Sequence, residues 1–159
     1  MLSNMMSFEL RVDTSGLQQL RTELQSKLAT MTAVAAAELM EYEKQVFDTE
    51  GAVNGAKWQP ISEATKQKRQ RMGVNPNNPV LQARGVLSRS YRVMFDASFP
   101  TSRCSLYFDD IYTIWDSDLL LIPDAHHFGF GRRYPKRPLF NKEVVEQRIV
   151  EKLRSFWGG

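Results

Sequence analysis

The feature that most constrains the fold is a long apolar stripe with a helical period in the first third of the chain. Nine mostly apolar residues form it: Leu17, Leu20, Leu24, Leu28, Met31, Ala35, Leu39, Tyr42 and Val46. From first to last they span 29 residues in eight steps, or about 3.6 residues per step, which is the period of a straight α-helix. No proline or glycine interrupts the chain between Leu17 and Glu50. We therefore predict one helix over about residues 15–48, capped by Thr14 or Ser15.

The predicted helix is longer than the domain that should contain it. A chain of 159 residues is expected to form one domain with a radius of gyration of about 15 Å, or about 40 Å across. A helix over residues 15–48 would be about 50 Å long. We therefore expect that the helix either breaks near residues 33–37 or projects from the domain and packs on another subunit.

Shorter patterns assign the rest of the chain to a single α+β domain over residues 1–159. Phe8, Leu10 and Val12 alternate with polar residues, which predicts a strand at 7–13. The other predicted elements, in order, are a loop at 49–62, a helix at 63–72 capped by Ser62, a helix-ending segment at 73–79, a short helix near 81–91, strands near 91–97 and 103–109, a strand near the histidines, and a helix at 142–157 capped by Asn141. The predicted fold is a small, mostly antiparallel sheet with a long N-terminal helix, short middle helices and a C-terminal helix.

Composition excludes several classes of protein. The 21 lysines and arginines against 18 aspartates and glutamates give a net charge of +3, a weak hint of nucleic-acid binding. The single cysteine, Cys104, cannot form a disulfide within the chain, which indicates a reducing compartment. The N-terminal residues lack the basic and apolar regions of a signal peptide, and the longest aliphatic run, 119–122, is too short to span a membrane. We expect a protein that is neither exported by a signal peptide nor inserted in a membrane.

The adjacent histidines are the first candidates for chemistry. His126 and His127 follow several aspartates, which suggests a metal site. However, neighbouring residues on a strand point to opposite faces, and no zinc- or calcium-binding spacing accompanies the pair. No serine lies in a Gly-x-Ser-x-Gly turn and no glycine-rich phosphate loop is present. The sequence therefore predicts no metal, no cofactor and no enzymatic activity.

Two basic clusters offer nucleic-acid binding as an alternative. They are the predicted helix with Lys66, Lys68, Arg69 and Arg71, and the segment 132–137 with four more cations beside Tyr134. Phosphate contacts with some aromatic stacking would suit such clusters. The plainer interpretation is a solvated helix face, with aromatic residues that anchor packing.

A stiff segment at residues 134–140, here named the proline strip, suggests docking to other proteins. Pro135 and Pro138 fix their own φ angles and push the preceding residues toward extended conformations. Arg137 and Phe140 are residue types that often carry interface energy. The alternative is a structural loop that anchors the last helix, and the sequence leaves both interpretations open.

The ordered set of these motifs resembles a known family, the bacteriophage virion-morphogenesis or tail-completion proteins, which are related to the neck proteins of long-tailed phages. The resemblance covers about residues 47–157 and rests on Glu50, Gly51, Trp58, Pro60, Ile61, Thr65, Lys66, Leu81, Gly85, Leu87, Ser90, His126 or His127, Gly129, Pro135, Arg137 and Pro138. The chain departs from the family pattern at Arg84, where a small polar residue is usual, and at residues 139–140, where Leu-Phe inverts the common order. It also has a longer stretch than expected at 110–125.

The resemblance implies a non-enzymatic virion component of the tail or neck, made in the host bacterial cytoplasm. Similar proteins act late in tail assembly as a ring at the head-proximal end, which completes the tail and allows it to join the head. A ring needs heterologous contacts that close by rotation, and tail symmetry suggests a hexamer. The expected partners are the tail tube or terminator and the head-connector proteins, with DNA in the channel as a further candidate and no membrane. The residues predicted to act in packing and at interfaces are Trp58, Pro60, Lys66, Lys68, Arg69, Gly85, Leu87, Ser90, His127, Gly129, Tyr134, Pro135, Arg137, Pro138 and Phe140.

Overall fold

The computed structural model describes residues 13–110, 112–115, 118–129 and 135–157. The strand predicted at 7–13 lies outside these residues apart from Asp13, and Tyr134 of the proline strip also lies outside them. Within the described residues, no helix has the length and apolar character needed to cross a membrane.

The predicted long helix is continuous. Helix α1 comprises Ser15–Asp48, 34 residues, and is therefore about 50 Å long, without a break at residues 33–37. Thr14 occupies the cap position but its side chain makes no capping hydrogen bond. The Asp13 carboxylate takes that role, since it accepts a hydrogen bond of 2.9 Å from the Ser15 backbone N–H.

A two-stranded antiparallel sheet packs against α1. Strands β1 (Tyr91–Asp96) and β2 (Arg103–Phe108) are paired from Tyr91 opposite Phe108 to Asp96 opposite Arg103. The strands predicted near 91–97 and 103–109 are thus confirmed to within one residue at each end. Both strands contact α1, so the sheet covers one side of the helix.

The region before the histidines differs from its prediction. It contains strands β3 (Tyr112–Trp115) and β4 (Asp118–Leu121), which form an antiparallel hairpin, followed at once by helix α3 (Ile122–Phe128). The single strand predicted near the histidines is therefore two strands, and His126 and His127 themselves are helical. Pro123 favours the helix here because its fixed φ suits a first helical turn, whereas its missing N–H would weaken a strand ladder.

Two other helices begin at their predicted caps. They are α2 (Glu63–Arg71) and α4 (Lys142–Trp157). The Ser62 hydroxyl accepts a hydrogen bond of 3.2 Å from the Thr65 N–H. The Asn141 side-chain oxygen accepts one of 3.1 Å from the Glu143 N–H. Both caps therefore satisfy a backbone donor that the helix itself leaves without a partner.

The short helix predicted near 81–91 is wrong. That segment consists of turns with a single 3₁₀ turn at Leu87–Arg89. Leu81 and Gly85 have φ angles of 62° and 67°, in the left-handed region that a right-handed helix cannot include. The apolar spacing of the segment therefore serves packing of turns and not a helix face.

Helix α4 is fixed to α1 by one arginine. The Nε and Nη2 atoms of Arg148 contact Glu38 Oε1 at 2.8 and 2.7 Å, and Nη1 donates to Gln45 Oε1 at 2.8 Å. The same guanidinium lies 5.5 Å from the centre of the Tyr42 ring, a cation–π contact. Because the ion pair is largely shielded from water, it holds the two helices in one relative position.

The core surrounds the second half of α1. Its buried residues are Tyr42, Val46, Phe47, Trp58, Val80, Leu87 and Leu139. Phe47 and Trp58 pack edge to face with ring centres 5.6 Å apart, a favoured aromatic geometry. Residues from four separate segments thus converge on one end of α1, and the observed fold is α+β as predicted.

Candidate functional site

The proline strip is anchored on its inner side by Trp58. The indole Nε1 donates to the Pro138 carbonyl at 3.0 Å, and the Asn54 amide donates to the same oxygen at 3.1 Å. Gly51 makes this approach feasible, because its φ is 84° and a β-carbon there would overlap the indole ring. Leu139 is then fully buried beside these contacts. Trp58 and Pro138 therefore pack within the chain, as the structural-loop interpretation requires.

Helix α3 supports the strip from the other side. The Arg137 N–H donates to the His126 carbonyl at 2.6 Å, and the Leu139 N–H donates to Nδ1 of His127 at 3.1 Å. The ring of Phe140 stacks on His127 with centres 4.4 Å apart and planes 14° from parallel. The two histidines of α3 therefore contact the strip directly, while Phe140 remains exposed.

Two of the predicted glycines have left-handed backbones next to other groups. Gly129 has a φ of 83°, and a β-carbon there would lie 3.1 Å from the Lys136 backbone nitrogen. Gly85 has a φ of 67°, and its β-carbon would lie 3.4 Å from the Arg89 guanidinium. Both positions therefore favour glycine for backbone reasons.

The segment from Gly85 to Ser90 leads into β1 and contributes to the core. Leu87 and Ser90 are both buried. The Ser90 hydroxyl donates to the Leu87 carbonyl at 2.8 Å, and the Asp109 N–H donates to the Ser90 carbonyl at 2.8 Å. These contacts join the turn to the end of β2, so the segment positions the sheet.

The imidazole of His126 is neutral at physiological pH. Burial, together with the positive charge of Arg137, lowers the pKa of His126 to about 4. Within the described part of the chain, no three His, Cys, Asp or Glu side chains lie close enough together to hold a metal ion.

The basic residues of α2 do not form one exposed face. Arg69 is buried and donates to the carbonyls of Asn78 at 2.5 Å and Pro79 at 3.4 Å. Lys66 pairs with Glu63 at 2.5 Å. Of the predicted site residues on α2, Lys68 alone is exposed and forms no ion pair with any residue that the structure describes. The cluster is therefore a weaker phosphate site than its sequence suggests.

A cavity of about 700 Å³ lies between α2, the segment after it, the start of α3 and the proline strip. Pro60, Leu87 and Pro135 line it, and so do the buried guanidiniums of Arg69 and Arg137. Burial lowers the pKa of both arginines, and the charge of Arg69 lowers the pKa of Arg137 further. The cavity therefore combines an apolar wall with buried positive charge.

The predicted interface residues divide by exposure. Buried within the chain are Trp58, Arg69, Leu87, Ser90 and Arg137; partly buried are Lys66, Gly85, His127, Gly129, Pro135 and Pro138; exposed are Pro60, Lys68 and Phe140. The first group is packed inside the chain, and contact with another protein stays a prediction for all of these residues.

One exposed apolar surface, on α1, was not among the predicted site residues. In the first half of α1, Leu17, Leu20 and Leu24 are exposed to 68%, 51% and 46%. Among the described residues, the contacts to this half include Arg21 over the Phe99 ring at 5.9 Å and Lys27 over the Trp157 ring at 5.2 Å. The signal was in the sequence, because the apolar stripe continues beyond the expected diameter of the domain. The described part of the chain leaves this face exposed, and an exposed apolar face of this kind suits contact with another protein surface.

The fold and these surfaces define an α+β chain whose exposed apolar helix face and stiff strip suit contacts with other proteins. A family model supplies the particular relation: residues 11–100 match the phage virion morphogenesis family. The chain belongs to this family, and membership implies a structural or assembly role in the phage virion. The match includes α1, which the motif resemblance did not cover, and ends before α3 and the proline strip. Searches among curated proteins and among solved structures found no match.

Proposed function

We propose that this protein completes the head-proximal end of the tail of a tailed bacteriophage or prophage and enables head–tail joining. In this proposal it acts as a ring of subunits, hexameric by analogy with tail symmetry, and catalyses no reaction. The partners are the tail tube or terminator and the head-connector proteins. The observation that carries the proposal is the family match over residues 11–100, because that segment contains both halves of α1.

The shape of α1 supports an assembly role. Its second half is fixed in the core, and in its first half Leu17, Leu20 and Leu24 are exposed among the described residues. A ring needs a surface on each subunit that meets a different surface on the next. A rigid helix held at one end can supply such a contact without a large conformational change.

The exposed edge of the proline strip supports the same role. Phe140 is exposed while its neighbour Leu139 is buried, so the strip presents an aromatic ring from a backbone fixed by Trp58 and His127. Aromatic residues on fixed backbones lose little entropy when they bind.

The experiment is removal of the gene from the phage or prophage that encodes it, followed by electron microscopy of the lysate. We expect filled heads and separate tails, with joining restored when the purified protein is added. Fully joined, infectious particles from the deletion lysate would disprove the proposal. A Met40→Ser protein, which changes an exposed residue in the other half of α1, should restore joining as well as the unaltered chain does.

Nucleic-acid binding is the second candidate and has less support. Lys66 is paired with Glu63 and Arg69 faces backbone carbonyls, so two of the four cations on α2 are already engaged. Affinity for duplex DNA measured against salt concentration tests it. A log–log slope near zero excludes several phosphate contacts, whereas a slope of several units would favour DNA in the channel as a partner.

A further inference from the structure

The cavity beside α2 contains two buried guanidinium groups. No carboxylate among the residues that the structure describes neutralises their charge. Arg69 and Arg137 are exposed to only 8% and 7%. Among the described residues, their hydrogen-bond partners are neutral carbonyls: those of Asn78 and Pro79 for Arg69, and that of Gln59 at 3.3 Å for Arg137. The buried Nε of Arg137 has no hydrogen-bond partner in the part of the chain that the structure describes. Charged groups in such surroundings are costly unless an opposite charge approaches them.

The other charged residues that line the cavity are also positively charged. Lys68 and Arg84 stand at the cavity beside the two buried arginines, and none of the described lining residues is an aspartate or glutamate. Where the wall is not basic it is largely apolar, with residues such as Ile61, Val80 and Met72. The site therefore favours an anion that also brings apolar surface.

The chemistry points to a carboxylate and not to a nucleic-acid phosphate. A guanidinium presents N–H donors in a planar fork that matches the two oxygens of a carboxylate. The guanidiniums lie inside an apolar cavity, and a side chain can enter such a space. A nucleic-acid backbone is a continuous polyanion that needs an open basic surface, and α2 does not provide one.

We propose that this cavity is a docking site for a segment of another protein that presents an aspartate or glutamate carboxylate between apolar side chains. The carboxylate contacts Arg69 and Arg137, and the flanking apolar groups cover Ile61, Val80 and Met72. The inference rests on the proposed function only in placing that partner among the virion proteins. The site itself rests on charge and burial.

The test uses two peptides that differ by one charge. Acetyl-Leu-Glu-Leu-amide and acetyl-Leu-Gln-Leu-amide are titrated into the isotope-labelled full chain at constant ionic strength, and the Nε–Hε signal of Arg137 is followed by NMR. We expect the glutamate peptide to bind at least about tenfold more tightly than its glutamine twin, because only it forms a charge-assisted pair. It should also shift the Arg137 signal. Equal affinity of the two peptides, or binding by neither, would overturn the proposal.

A variant at the rim keeps the test valid if arginine variants fail to fold. Met72 lines the cavity and is exposed, so Met72→Glu supplies a carboxylate from within the chain without removing a buried group. We expect this variant to bind the glutamate peptide at least about tenfold more weakly than the unaltered chain. The matched Met72→Gln variant should stay within about twofold of it. Equal affinities of the two variants would count against the site.

Two further arms identify the occupant. Inorganic phosphate that displaces the peptide at equal concentration would overturn the preference for a carboxylate. Self-association that Met72→Glu abolishes and Met72→Gln preserves would overturn the assignment to a different protein, because the occupant would be a second copy. If the chain does not bind the glutamate peptide but deletion of its gene still leaves heads and tails separate, only the cavity inference is wrong. If the chain binds the peptide but the deletion lysate contains infectious particles, only the proposed function is wrong.

Discussion

The two halves of α1 carry the same apolar period but lie in different surroundings. From Thr32 to Phe47, eight residues are buried under the sheet, α4 and the loops. From Ser15 to Met31 none is buried. A helical period therefore identifies which face of a helix is apolar, but it does not say whether that face is covered by the same chain or by another. The difference separates residues that fold the protein from residues available for assembly.

The largest expected contrast is between matched leucines of the two halves. Leu39 is exposed to only 7%, whereas Leu24 is exposed to 46%. Leu39→Ala should lower the free energy of unfolding by about 2–5 kcal/mol because it leaves a cavity. Leu24→Ala should change it by less than about 0.5 kcal/mol. Urea denaturation followed by circular dichroism measures both, and equal losses would mean that the first half is covered in the isolated chain.

The next contrast is between the buried Glu43 and the exposed Glu23, both on α1. Glu43 is fully buried, and neither of its carboxylate oxygens is hydrogen-bonded to a residue that the structure describes. Burial raises its pKa from 4.5 to about 8. Between these values the folded state holds a proton that the unfolded state releases. Stability should therefore fall as pH rises from about 4.5 to about 8, by at most about 1.4 kcal/mol per pH unit, and level off above that.

Glu43→Gln removes this pH dependence because a neutral amide cannot ionise. Relative to the unaltered chain, the variant should gain at most about 3 kcal/mol between pH 5 and pH 7. Glu23→Gln, in the exposed half, is the control and should leave the pH profile unchanged. Urea midpoints across this pH range are the measurement, and parallel profiles for the Glu43→Gln variant and the unaltered chain would contradict the buried, protonated state.

Sequence reasoning succeeded where the signal was local. The helix over residues 15–48 was predicted from an uninterrupted apolar period and the absence of proline and glycine between Leu17 and Glu50; a break near residues 33–37 was left open. The caps at Ser62 and Asn141 follow from a polar residue placed just before an apolar pattern. The strands β1 and β2 follow from the alternation of apolar and polar residues in segments that are bounded by turn residues. In each case the residues that decide the element lie within the element or beside it.

Sequence reasoning failed where distant residues decide the outcome. The helix expected near 81–91 does not form because Leu81 and Gly85 take left-handed φ angles, which the apolar spacing did not reveal. Arg69 was assigned to a solvated or DNA-facing surface, yet it turns inward to the carbonyls of Asn78 and Pro79. Arg69 and Arg137 line the same cavity although they lie almost seventy positions apart in the sequence. No local sequence pattern could predict that proximity.

A substitution at Tyr42, with a smaller expected effect on stability, tests how the buried half of α1 is linked to the rest of the chain. The Tyr42 hydroxyl donates to the side-chain oxygen of Asn54 and accepts a hydrogen bond of 2.7 Å from the Asn141 N–H. Burial raises the pKa of Tyr42 to about 12, so the hydroxyl keeps its proton. Tyr42→Phe should cost about 1–3 kcal/mol because two partly buried polar groups lose their partner.

The control for this variant is Tyr107→Phe on β2, where the ring is exposed. That change should alter the free energy of unfolding by less than about 0.5 kcal/mol. Thermal and urea unfolding of the two variants are compared with the unaltered chain. Equal effects would show that the Tyr42 hydroxyl does not stabilise the junction of α1, the Asn54 loop and α4.

Substitutions in the exposed half of α1 should have the smallest effect on stability and the largest effect on assembly. Leu20 and Leu24 contribute exposed apolar surface in the first half of α1, so replacing each by serine should change the free energy of unfolding by no more than about 0.5 kcal/mol. If this face meets another subunit, the same double variant should fail to restore joining in the deletion lysate, because it removes apolar area from the contact. The Met40→Ser control, exposed in the other half, should restore it. A double variant that folds normally and still restores joining would show that the exposed half of α1 is not the docking face, and would leave the proline strip and the basic cavity as the surfaces through which this chain assembles.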